Sequence, residues 1–151
     1  MAPETAFLDA VLAHLRGSAA LAALVGVRIF DEVPADDRAG SIVETPYVYA
    51  GPLVSTDDNG VCIDMRRLRL RLYAVSDAFA RREAWEVMHL MRQRLRSGLT
   101  GGAVPFTLPA PHSLVSCMFG PSGDITEPER LKVCFVDLVA DITSDVVPDV
   151  D

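Results

Sequence analysis

The side chains able to do chemistry are few and scattered. Cys62, Cys117 and Cys134 stand far apart, with no CxxC among them. Of the three histidines, His14, His89 and His112, only His112 lies near a cysteine, Cys117, and no second pair accompanies them to complete a tetrahedral metal site. The expectation is therefore reduced thiols packed as small hydrophobes in or beside strands, with no metal and no cofactor. Asp57 and Asp58 precede Asn59-Gly60, where carboxylates favour a turn, and the glutamate that a calcium loop requires does not follow. Glu127 and Glu129 flank Pro128 in what reads as a solvated connection. No GxSxG, HExxH, P-loop or GxGxxG is present. Sequence leaves open a site assembled from distant residues, but nothing in the pattern calls for one, and no enzymatic activity is expected.

Charge is more informative than nucleophiles. The chain carries a net charge of −7. Within residues 66–96, nine Arg against Asp77, Glu83 and Glu86 give +6, so the remainder holds −13. Every basic residue except Lys132 is Arg, whose planar fork suits interfaces better than lysine does. Arg67, Arg69 and Arg71 alternate with Leu68, Leu70 and Leu72, which sets one face of a strand in the core and the other toward solvent or a partner. Three readings of that stripe stand side by side. It is a solvated sheet face, a contact for an acidic surface, or a phosphate site, which the acidic whole opposes. In the second reading a neighbouring copy presents Asp137, Asp141, Asp145 or Asp149. Such segregation suits a head-to-tail ring.

The elements that must position these residues follow from periodicity. Phe7, Leu8, Val11, Leu12 and Leu15 have helical spacing over Thr5–Leu15. Ser18 caps a second short turn that ends at Gly26, and a short strand over Val27–Phe30 follows. Residues 31–46 read as a long loop. Tyr47–Val54 reads as a strand with a bulge or edge at Gly51-Pro52, and Asn59-Gly60 turns the chain into a strand over Cys62–Val75. A helix from Ser76-Asp77 to Ser97 buries Ala80, Ala84, Val87, Met88, Met91 and Leu95. The lone Trp85 is either packing or an interface anchor. A strand over Ser113–Phe119, a turn-rich GPSGDITEPE and a long strand over Leu131–Thr143 complete the order α-β-β-β-α-β-β. The fold class is α+β, a mainly antiparallel sheet with two helices packed on it. Residues 1–144 form one domain, and 145–151 form an acidic tail. No apolar run approaches the roughly 20 residues that cross a bilayer. The N-terminal stretch lacks a basic leader, so neither a membrane span nor a signal peptide is expected.

The order and spacing of SAALAALVGVRIFDEVP, PYVYAGP, RRLRLRLYAVSDAFARREAWEVMHLMRQRL and LKVCFVDLVADIT resemble the tail-terminator (tail-completion) family of long-tailed bacteriophages and gene transfer agents. The resemblance covers roughly residues 5–143. It implies a structural virion protein with no catalytic motif. It also implies a homo-oligomeric ring, usually a hexamer, assembled in the host cytoplasm at the head-proximal end of the tail. That ring stops growth of the major tail tube protein and offers a docking surface to the head–tail connector or stopper. DNA would pass through the ring without specific binding, as an acidic lumen favours. Loops 31–46, 55–61 and 98–112 supply the rims, and either the 55–61 hairpin, through Asp57, Asp58 and Asn59, or the 31–46 loop is expected to contact an adjoining ring or tube. The competing assignments are a head-completion or stopper protein and an unrelated cytoplasmic protein-binding domain.

Overall fold

The computed structural model describes residues 1–32, 44–57, 64–77, 81–96, 107–125 and 132–144. Along the chain they form α1 (Pro3–Arg16), α2 (Ala19–Val25), β1 (Ile29–Phe30), β2 (Tyr47–Asp57), β3 (Asp64–Ser76), α3 (Arg82–Leu95), β4 (His112–Ile125) and β5 (Lys132–Ser144). Pro3 opens α1, where its missing N–H costs nothing. Ser18 caps α2, its hydroxyl accepting from the Leu21 N–H at 3.2 Å. Gly26 ends α2 at φ 60°, a conformation that side chains resist. The expected second turn is thus a helix in its own right, so the described residues hold three helices, with α2 packed on α1 and α3.

The five strands lie in the order β1-β2-β3-β5-β4. All neighbours are antiparallel except β1 with β2, so the α+β, mainly antiparallel reading holds. The bulge expected at Gly51-Pro52 is present as a register shift between Ala50 and Leu53. One sheet face is core. Leu68, Leu70, Leu72 and Ala74 of β3, with Cys134, Val136, Leu138, Ala140 and Ile142 of β5, lie under Phe7, Val11, Leu15, Leu21, Met88 and Met91. That is the alternation read in the sequence.

β2 runs past its expected end at Val54 to Asp57, so Asp57, read as a turn residue, lies in the ladder opposite Arg66. Two further boundaries differ from expectation. Ser76 ends β3, paired with Lys132, and α3 begins at Arg82. The Ser76 hydroxyl donates to Glu83 at 2.7 Å and so ties the strand end to the first turn of the helix. Ala80 and Ser97 lie outside the described residues, while Ala84, Val87, Met88, Met91 and Leu95 are buried as read. The second difference is β4, which continues through Gly120-Pro121-Ser122-Gly123 to Ile125 instead of turning after Phe119. Register shifts at 114/116 and 119/122 absorb the irregular residues. β4 is an edge strand, and proline is tolerated at an edge and at bulges.

Candidate interaction surface

Among the described residues no helix covers the second sheet face. Across the strands, Thr56, Arg67, Asp141 and Ser116 share one level, and Val54, Arg69, Val139 and Met118 share the next. Arg71 and Asp137 follow, then Tyr49, Tyr73, Phe135 and Gly123. The charged half is internally clipped. Arg67 holds Asp141 through two hydrogen bonds of 2.9 and 3.3 Å, with Ser116 donating to the same carboxylate at 3.1 Å. Arg71 grips Asp137 at 2.8 and 3.2 Å, and its guanidinium lies 4.2 Å from the centre of the Phe135 ring. The Asp137 side chain is only 1% exposed; a carboxylate so deep persists because a forked cation satisfies both its oxygens.

The pKa directions agree with this geometry. The hydrogen bonds that Arg71 donates to Asp137 raise its guanidinium above its ordinary value. The hydrogen bond from Arg67 holds the Asp141 carboxyl below the usual carboxylate range, against the opposing effect of burial.

Asp137 and Asp141, read from sequence as carboxylates offered by a neighbouring copy, are therefore engaged by arginines of their own chain. A signal for this was present. The spacing of four between Arg67 and Arg71 recurs between Asp137 and Asp141, and antiparallel neighbours set 67 against 141 and 71 against 137. Arg69, between the two clips, faces Val54 and Val139. Asp57 pairs with Arg66 at 3.0 Å, and Arg66 also reaches Glu4 at 3.3 Å. Burial pushes the Glu4 carboxyl up, but hydrogen bonds from its own backbone N–H and from Ser55, together with the Arg66 charge, leave it below its ordinary value. Asp58, Asn59, Asp145 and Asp149 lie outside the described residues, as does much of the three expected rim loops.

Apolar exposure gathers on this same side. Val54 (55%), Met118 (60%) and Ile125 (47%) are among the large hydrophobics left in solvent, and their pairing with Arg69, Val139 and Val133 puts all three on this face. They flank the clipped charges at spacings that a flat partner could cover.

Several other chemistry-bearing side chains tie the scaffold together, while Cys62, Glu127 and Glu129 lie outside the described residues. His112 donates from Nε2 to the Met1 carbonyl at 2.8 Å, which leaves Nδ1 to accept from Ser144 at 2.7 Å. His14 and Arg94 cross-link α1 and α3, each bonded to the other's backbone carbonyl at 2.9 and 2.8 Å. Trp85 is partly buried against the core and donates to Asp124 at 2.9 Å, and Arg81 reaches the same oxygen at 2.8 Å. The Trp85 hydrogen bond and Arg81 hold the Asp124 carboxyl below its usual range. Cys117 and Cys134 are buried free thiols. Burial pushes both up to about 12, with the Asp124 charge adding to the effect at Cys134. They are inert hydrophobes rather than nucleophiles. Among the described residues no cluster of His, Cys, Asp or Glu could hold a metal ion, and no single helix is long and apolar enough to cross a membrane.

Among the described residues, then, helices cover one face of the sheet and not the other. The sequence profile of the family described as tail completion protein gp17 matches residues 9–142, nearly the whole chain. The chain belongs to the tail completion protein gp17 family. This tail completion protein is also similar in structure to a chain of the virion of a native gene transfer agent particle. The TM-score is 0.72 at 22% identity, over 90% of this chain and 93% of that one. At that identity the likeness speaks for the fold. No curated protein matches the chain. Family membership makes it a structural protein of a phage-type tail, as the resemblance implied.

Proposed function

We propose that this tail completion protein forms a ring, a hexamer in the family's usual manner, at the head-proximal end of the tail. There it stops growth of the tube and joins the tail to the head. The observation that carries the reading is the bare sheet face. Solvent-exposed Val54, Met118 and Ile125 surround charges already neutralised in pairs, so a partner can cover them without stranding an ion. The exposed Arg69 is left to set register against a carboxylate on the partner. The rest of the domain is scaffold, three helices and a buried core holding that face rigid. With a net charge of −7, the ring would let DNA pass without gripping it.

Deleting the gene and measuring tube length in the resulting lysates tests the reading. Overlong, headless tubes are expected. Tubes of normal length that merely fail to join heads would instead assign the chain to the head side of the connector.

A further inference from the structure

A second polar surface lies on the helix layer, away from the bare sheet face. His89, Arg92, Gln93 and Arg96, all on α3 or just past its end, line an open concavity of about 310 Å³. Phe119 of β4 supports it from below, with the Arg92 and Arg96 guanidiniums 5.7 and 5.8 Å from the ring centre. Both cations thus lie at nearly the same distance from one aromatic ring. Among the described residues neither has an ion pair. The Nε of Arg92 is out of contact with solvent and has no hydrogen-bond acceptor. Two guanidiniums lining one open concavity suit an incoming oxyanion, which their remaining N–H groups can meet in charge-assisted hydrogen bonds.

The chain supplies the matching chemistry. Asp137 and Asp141 are held by Arg71 and Arg67, which removes them as carboxylates for a neighbour. An acidic stretch of the same chain, Asp145-Val-Val-Pro-Asp149-Val-Asp151, has valines that suit the Phe119 side of the concavity and aspartates that suit the arginines. We propose that His89, Arg92, Gln93 and Arg96 form a receptor for the acidic segment 145–151 of an adjoining copy. This contact rests on the ring reading for its purpose but not for its detection. It joins one copy's helix layer to the next copy's C-terminal segment, a heterologous interface of the kind that builds rings. Phosphate is the other oxyanion of the right size. The chain's overall acidity opposes a nucleic-acid strand there.

The test is fluorescence anisotropy with a labelled peptide of sequence SDVVPDVD titrated with the full-length protein. Saturable binding is expected, weakened about tenfold or more by Arg92→Glu with Arg96→Glu and by Asp→Asn changes in the peptide. Gln93→Glu, at an exposed helix position, should weaken it too without touching the fold, which circular dichroism checks. Arg67→Glu, on the other face, should leave it unchanged. Absence of binding, equal binding by the Arg92/Arg96 variant, or displacement of the peptide by DNA at lower concentration than by unlabelled peptide would overturn the proposal. Peptide binding with normal tube length in the deletion strain would retire the capping role and leave this receptor standing. Overlong tubes with no peptide binding would do the reverse.

Discussion

Replacing Val54 and Met118 by aspartate is the sharpest probe of the bare sheet face. They lie on one level of the sheet with Arg69 and Val139 between them, and they are 55% and 60% exposed. Fully burying a side chain of either type is worth about 1.5–3 kcal/mol. Covering the exposed fractions is therefore worth about 0.8–1.7 kcal/mol for Val54 and about 0.9–1.8 kcal/mol for Met118, as upper bounds. Losing both would weaken association by about one to two and a half decades, at 1.4 kcal/mol per decade. The folded monomer should barely notice, since surface substitutions away from special features stay within about 0.5 kcal/mol. The assay pairs thermal unfolding with sedimentation of the purified protein and with tube length on complementing the deletion. An unchanged melting temperature with weakened association and overlong tubes is expected. A double variant that folds, associates and complements as the wild type does would refute the idea that this face is covered in the assembled tail.

Further expectations concern the scaffold. Met88→Ala, at a fully buried position beneath the sheet, should cost about 2–5 kcal/mol in chemical denaturation. Ser18→Ala, which removes the cap on α2, should cost about 1 kcal/mol in the same experiment. Gly51→Ala would drive a methyl into the ring of Tyr73, which stacks on Tyr49 at 4.8 Å; loss of stability with altered near-ultraviolet dichroism is expected. The folded-state pKa of Asp141 lies below its ordinary value of 3.8. Its contribution to stability is therefore complete above about pH 4 and lost as pH falls through the lowered value. Arg67→Gln should flatten that acid limb of a stability-versus-pH curve.

What the sequence made legible follows the strength of its periodicities. The Leu/Arg alternation of β3 and the apolar alternation of β5 placed both strands and their buried faces, because a period of two leaves no choice of side once one face is core. The α3 stripe was equally plain, yet its start was misplaced. Ser76-Asp77 is an acceptable cap by local chemistry, but the ladder to Lys132 keeps Ser76 in the sheet. In β4 the residues Gly-Pro-Ser-Gly signal a turn locally, and only pairing with β5 through two bulges extends the strand. The arginine stripe was visible, whereas its neutralisation depended on a register that a single sequence does not display. The concavity around Arg92 went unread because it needs Phe119, far along the chain, to bring the arginines of α3 together.

A chain that forms the proposed ring must also refuse most of the ways its copies could meet. β4 is long and forms the outer border of the sheet, the sort of border along which identical molecules zip into endless ribbons. Pro121 offers no N–H there, and the two register shifts interrupt the even row of donors and acceptors. Growth by strand addition is thereby blocked at the margin, and recognition is left to side chains, whose geometry can close on itself and stop.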